Sequence, residues 1–214
     1  MSRVRVHAMS VSLDGYVAGV DQRLEEPLGE NGLALHQWIF PTRTFCAMTS
    51  QGGGEAGLDD DVVRAGFTGI GATVMGRNMF GPVRGPWAGN DWTGWWGETP
   101  PFHHPVFVLT HEPRPALELD GTTFHFVTEG VEVALERART AAGDLDVRVG
   151  GGAATVRQCL AAGLIDELQF SVVPVLLARG EPLFERRGES LRGYSCVRVA
   201  PSDSIVHYWL AREG

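Results

Sequence analysis

Cysteine is scarce in this chain of 214 residues, with only Cys46, Cys159 and Cys196 present. They are odd in number, far apart and never arranged as Cys-x-x-Cys. That excludes a disulfide scaffold and leaves free thiols in a reducing compartment. Long apolar runs are missing as well. The opening MSRVRVHAMSV holds no apolar core of signal-peptide length, and no stretch is long enough to span a bilayer. A cytoplasmic protein without a membrane partner is the expectation. Positive charge is not in excess either. At a net charge of −8 no basic face is available to neutralise phosphates, so nucleic acid is not an expected partner. Two nucleotide-binding signatures are also lacking. Thr155 stands where the dinucleotide fingerprint needs its third glycine, and no Gly-Lys-Ser/Thr follows a glycine loop, so a Rossmann domain is not indicated.

What is present reads as an ordinary globule, 43% apolar and 21% charged, with a length that favours one domain over 1–214 and a large buried core. The stretch VRVGGGAATVRQCLAAGLIDEL (147–168) organises it. An apolar strand meets Gly150, Gly151 and Gly152, and a helix-spaced segment through Ala154, Val156, Leu160 and Ala161 follows. Glycines admit a ligand close to the backbone, and a helix start behind them directs unpaired N–H groups and a positive dipole end at an anion. Three in a row exceed what a plain strand-to-helix turn needs, so a phosphate or cofactor site is preferred over a simple turn.

The rest of the chain alternates strands with helices. A first strand covers 3–11 and leads past Leu13 to the Asp14-Gly15 turn and the β-like Tyr16-Val17-Ala18. Asp14 is either a carboxylate held at a sheet end or a solvated hairpin residue. LALHQWIF (33–40) predicts a short amphipathic helix ended by Pro41, with His36 at its surface or satisfied within it. Asp59, Asp60 and Asp61 predict an acidic helix start for 62–66, and not a metal site, because adjacent carboxylates on a helix point apart. A strand at 72–75 ends in Gly76-Arg77, and another at 106–109 ends in Thr110-His111. Arginine adds a planar fork that grips phosphate. Trp87, Trp92, Trp95 and Trp96 crowd a Gly- and Pro-rich stretch without period, which most simply packs over a pocket or a partner subunit. His103 and His104 are neighbours, a poor spacing for a metal, and none is assigned. A strand at 122–127, a helix at 131–142, a strand at 168–173 and two closing strands at 194–199 and 205–210 complete the pattern. The sum is an α/β fold with a mostly parallel sheet and an antiparallel C-terminal edge. Its site is expected where the strands end in Gly76-Arg77, Thr110-His111 and Gly150 to Gly152.

These endings, in this order, resemble the dihydrofolate reductase superfold. They are most similar to the reductase domain of riboflavin-biosynthesis deaminase-reductases. The resemblance rests on SLDGYVAG (12–19), VMGRNMF (74–80), VFVLTH (106–111), VGGGAATVRQCLAAGLIDEL (149–168) and PVLL (174–177), and it runs over nearly the whole chain. It implies a three-layer fold with helices on both faces of the sheet and an NADPH-dependent reductase acting on a small substrate. It further implies that Gly150, Gly151, Gly152, Ala153 and Thr155 wrap the pyrophosphate and nicotinamide side of the cofactor. Gly76, Arg77 and Asn78 would hold phosphate from a helix start, and Thr110 with His111 would meet the adenosine 2′-phosphate. Ala8 would border the nicotinamide, and Asp14, in the covering loop, would supply or relay a proton. A homodimer is expected from the same resemblance, helped by Tyr208 and Trp209.

Two departures bear on substrate. Where folate-reducing enzymes carry a carboxylate on the first helix, Leu35, His36 and Gln37 stand here. Where riboflavin-pathway reductases carry a glutamate before the glycine turn, Val149 stands here, and no zinc-deaminase motif precedes the domain. The leading reading is therefore a reductase of an undefined C=N or C=O substrate. The rivals are a dihydrofolate or 5-amino-6-(5-phosphoribosylamino)uracil reductase using unfamiliar residues, and a nucleotide-binding dimer without turnover.

Overall fold

The computed structural model describes residues 2–81, 85–87, 91–184, 191 and 193–213. In chain order it contains β1 (Val4–Ser12), β2 (Tyr16–Ala18), a 3-10 turn (Gly32–His36), α1 (Arg43–Met48), α2 (Leu58–Ala65), β3 (Ile70–Gly76) and α3 (Arg77–Phe80). Then come β4 (Val106–Leu109), β5 (Leu117–Leu119), β6 (Thr122–Val127), α4 (Val131–Ala142), β7 (Asp146–Gly151), α5 (Ala153–Ala161) and β8 (Glu167–Val173). Finally β9 (Glu181–Pro182), β10 (Tyr194–Pro201) and β11 (Val206–Arg212) close the chain.

Nine strands form one sheet in the order β10-β11-β8-β1-β7-β3-β4-β6-β5. The six from β8 to β6 run parallel, while β11, β10 and β5 pair antiparallel at the two edges. Strand β3 is buried at six consecutive positions, as a parallel strand covered on both faces must be. On one face Val4, Val6, Ala72, Val74, Val147, Val149 and Leu168 pack against Leu135 and Ala138 of α4 and Val156 and Cys159 of α5. Full burial of each valine or leucine contributes about 1.5–3 kcal/mol. On the other face Val62 and Val63 of α2 meet Leu35, Trp38, Val173 and Ile205. The dihydrofolate reductase-like α/β layering is thus present, with helices on both faces. The cysteines are unbonded, and burial pushes the Cys159 thiol up to about 12. Among the described residues no helix is long and apolar enough to cross a membrane.

The helix expected over LALHQWIF is a 3-10 turn. Leu35 and Trp38, three apart, are both buried in the same cluster, and a 3-10 turn places such a pair on one side. Helix α1 then begins where Pro41 ended the expected one, because the Thr42 side chain accepts the Phe45 N–H as an N-cap. The acidic start expected for the next helix is present, and α2 opens earlier, at Leu58. Asp60 accepts the Thr44 N–H at 2.6 Å and ties α2 to α1. Strand β5 was not legible, since three residues carry no measurable period. Trp87, Trp92 and Trp96 pack with Phe80, Phe102 and Phe124 in a third apolar cluster over β4, β5 and β6. Part of that stretch, 82–84 and 88–90, lies outside the described residues.

The sheet face under α1 and α2 is polar near its centre. Arg5 of β1, Arg148 of β7 and Thr73 of β3 stand side by side in register. Thr73 Oγ1 bonds His104 Nε2 at 2.8 Å. Burial first, then the charges of Arg148 and His103, press the His104 imidazole down from 6.5 to about 4. A group depressed in the folded state binds its proton more readily when unfolded. Its contribution to stability is therefore present above pH 6.5 and lost as pH falls toward 4. Thermal unfolding between pH 7 and 4 should show His104→Gln losing less stability over this window than the native chain. Parallel melting curves would contradict the assignment.

Candidate functional site

Strands β7, β3 and β4 are consecutive parallel neighbours, so their carboxyl ends emerge side by side. The residues that follow, with a bulge in β1, line one cleft of about 950 Å³. Every residue expected to hold cofactor is there: Ala8, Gly76, Arg77, Asn78, Thr110, His111, Gly150, Gly151, Gly152, Ala153 and Thr155. Gly130, which the sequence reading did not single out, joins them.

Glycine is required at two of these places. A Cβ on Gly76 would lie 2.6 Å from Thr155 Oγ1, and Gly151 sits at φ +114. Helices α4 and α5 open at Gly130 and Gly152 with no side-chain cap. Gly130 and Gly152 line the cleft, so an anion there would meet helix starts that no side-chain cap covers. Arg77 reaches Gly85 O at 3.2 Å and Thr110 Oγ1 at 3.5 Å, and its guanidinium carbon lies 3.1 Å from the Trp87 ring centroid. Its Nε is buried without a hydrogen-bond partner. Burial, then the charge of Arg114, lowers its pKa, against the opposing pull of Glu112. Thr110 is committed within its own turn, its hydroxyl accepting the Glu112 N–H at 3.1 Å. Asn78 Nδ2 donates to Gln22 Oε1 at 3.2 Å.

Ala8 owes its place to the bulge between Val6 and Met9, where it adopts φ +56. Its N–H donates to Gln169 Oε1 at 2.6 Å. From Gln169 a buried chain runs through Ser171 Oγ (3.1 Å) to His207 Nδ1 (2.8 Å), and His207 Nε2 meets Asp59 Oδ1 at 2.8 Å. Ser171, His207 and Asp59 match a nucleophilic triad only in residue type, since none of them lines the cleft. They tie α2 to the bulge, and a satisfied buried network of this kind holds a local distortion in one state.

One expectation is corrected. Asp14 does not line the cleft. Strand β1 continues from Ala8 to Ser12 before the turn, which carries the carboxylate away. There it bonds Ser12 Oγ at 2.5 Å and accepts the N–H groups of Leu177 and Ala178 at 3.2 and 2.7 Å. The Ser12 bond, aided by these amides and opposed by partial desolvation, holds it below the usual carboxylate range. Asp14 is a brace between the β1–β2 turn and the segment after β8. Val149, read as standing in the glutamate position, is buried in the main core, and Gly150 is its cleft-facing neighbour.

The remaining wall comes from residues the sequence reading missed or left at the surface. His7, His36, Ile39, Phe45, Met48, Val63, Phe67 and Arg148 line it. A signal existed: VRVH in β1 and VRV in β7 alternate apolar and basic within strands at the centre of the sheet. Among the described residues no group of three or more His, Cys, Asp or Glu side chains is placed to hold a metal ion.

Comparison with known proteins follows this geometry. No curated protein matches the chain. A putative riboflavin biosynthesis protein from Shewanella sp. PV-4 superposes with a TM-score of 0.62 at 22% identity, over the full length of both chains. Dihydrofolate reductase from Enterococcus faecalis, complexed with NADP(H) and RAB-propyl, gives 0.54 at 13% identity, covering 100% of this chain and 97% of that one. The Thermotoga maritima diaminohydroxyphosphoribosylaminopyrimidine deaminase/5-amino-6-(5-phosphoribosylamino)uracil reductase also gives 0.54 at 13%, with 99% of this chain covering 56% of that one. At these identities the likeness is one of fold. The sequence model described as the RibD C-terminal domain matches residues 5–202, a span that takes in every residue of the cleft, and this chain belongs to that family.

Proposed function

We propose that this protein is an NADPH-dependent reductase that transfers hydride to the C=N or C=O group of a small substrate. The observation that carries the reading is the convergence of three strand ends and the Ala8 bulge on one cleft. The residues fit the cofactor. Gly76 and Gly151 leave backbone surfaces that a side chain would fill or distort, and the uncapped starts of α4 and α5 offer N–H donors to a pyrophosphate. Arg77 brings a half-buried guanidinium whose Nε lacks a partner, suited to a further phosphate, with Thr110 and His111 beside it. The relative complexed with NADP(H) shares this fold. Bound there, NADPH supplies the hydride, which is chemistry of the cofactor and not of the chain.

The chain's own work is to orient and to manage protons. Ile39, Phe45, Met48, Val63 and Phe67 form an apolar wall that excludes water from the substrate half. Ala8, held by Gln169, borders the nicotinamide. With Asp14 outside the cleft, His36 is the side chain assigned to deliver a proton. It lines the wall, and burial lowers its pKa from 6.5. The protein acts in the cytoplasm as a homodimer. Tyr208 stacks on Phe170 and Trp209 lies under Arg198, so both rings are used within the chain. Edge strand β10 offers apolar surface to a second copy, with Val197 and Val199 61% and 51% exposed.

Fluorescence titration should show NADPH binding weakened about ten-fold or more by Arg77→Ala, the scale of a lost charge-assisted contact, with NADH affected less. Unchanged affinity would reject the phosphate assignment. Turnover should be sought with a panel of pterins, pyrimidines and quinones. Protonated His36 accumulates only below pH 6.5, so the rate rises as pH falls through that region. His36→Gln removes that rise and Asp14→Asn does not; the opposite result returns the proton to Asp14. Light scattering should give twice the chain mass, and Val199→Arg should reduce it to the monomer.

A further inference from the structure

Arg148 is the unusual group in the substrate half. It precedes Gly150 by two residues on β7, so both project to the same face about 7 Å apart along the strand. Both line the cleft. The guanidinium carbon lies 4.2 Å from the Phe67 ring centroid. Among the described residues no carboxylate lies within ion-pair distance of it, it makes no hydrogen bond, and its Nε is sealed from solvent.

Its neighbours on the same face are treated differently. Arg5 pairs with Asp146 at 3.0 Å and donates to Thr68 O at 2.8 Å. His7 meets Glu167. The acids that line the cleft, Glu112 and Glu181, are engaged elsewhere: Glu112 acts on Arg77, and Glu181 lies 3.7 Å from Arg157. Burial, and then the charge of Arg5, lowers the Arg148 pKa to about 10, so it remains cationic at neutral pH. A desolvated cation without a counter-charge costs stability, and such groups are kept where a ligand completes them. Arginine presents a planar fork to a carboxylate or phosphate, and the flat Phe67 ring fixes the plane of that fork.

We propose that Arg148 is the substrate anchor of this cleft, and that the substrate is a small heterocycle carrying a carboxylate or phosphate monoester on or beside its reducible ring. The short spacing from Gly150, and the position of Arg148 within the strand, place the anion close to the ring. An anion at the end of a long tail would lie elsewhere. This inference rests on the reductase reading, because it assumes that the ring lies beside the glycine turn.

The test is calorimetry of the NADPH-loaded protein with benzoate, phenyl phosphate and the uncharged control benzamide. Benzoate or phenyl phosphate should bind at least ten-fold more tightly than benzamide, and the tighter of the two identifies the anion. Arg148→Met should abolish the difference and Arg148→Lys should restore part of it. Without ligand, Arg148→Met should melt no lower than the native chain, since it removes an unpaired charge. A lower melting temperature would make Arg148 a structural residue and overturn the proposal, as would equal binding of the three probes. Repeating the titrations without cofactor separates the two readings. If NADPH fails to bind but Arg148-dependent preference persists, the reductase reading falls and the anion site stands. If NADPH binds and no preference appears, the anion site alone falls.

Discussion

Parallel pairing of β1, β7, β3 and β4 in adjacent positions is the constraint from which the cleft follows. Parallel strands deliver their carboxyl ends to one edge of the sheet, where β3 and β7 run through glycine into α3 and α5 and β4 runs into the Thr110-His111 turn. Helix starts approached through glycine keep their first N–H groups free of side-chain caps, so one edge collects donors that no capping side chain takes. Ala8 is the exception, since it lies inside β1. A bulge carries it to the cleft, and a buried chain through Gln169, Ser171, His207 and Asp59 holds that bulge against α2.

The sheet divides its labour by face. The side packed on α4 and α5 is apolar and supplies stability. The side under α1 and α2 carries Arg5, His7, Thr73 and Arg148 toward the cleft. Arg5, His7 and Thr73 find partners, while Arg148 has no counter-charge among the described residues. A chain with a net charge of −8 thus concentrates Arg77, Arg148 and Arg157 around one concavity. Long-range repulsion of an anionic ligand by the acidic surface is offset locally, where low dielectric and burial make short-range pairing strongest.

Much of this arrangement was legible in residue order. Strand endings at Gly76, Thr110 and Gly150 marked one half of the cleft, because backbone chemistry at such endings depends little on what packs behind them. The amphipathic spacing of 131–142 marked α4, and the alternation of 122–127 marked β6. Other elements were not legible for identifiable reasons. LALHQWIF was too short for periodicity to separate a helix from a 3-10 turn, and contact between Leu35 and Trp38 in a distant core decided it. Asp14 sat beside a turn in the sequence, yet whether that turn faced the cleft depended on how far β1 runs past Ala8. Val149 and Gly150 differ by one position, and one position in a strand exchanges core for cleft. The tryptophans were read as a cover because their stretch has no period, but β4, β5 and β6 have an apolar face to bury and these rings bury it.

The sequence by itself determined the order of the main sheet strands and of α4 and α5, the backbone-driven sites at glycine and the absence of a dinucleotide fingerprint, because these depend on local conformational preference. Tertiary structure alone decided which side chains share the far wall of the cleft. His7 and His36, Phe67 and Arg148 come from separate elements, and only the sheet register and the docking of α1 and α2 bring them together. Whether a charge is paired is a property of that assembly. Arg5 and Arg148 read alike in VRV motifs, and among the described residues one has a carboxylate beside it while the other does not.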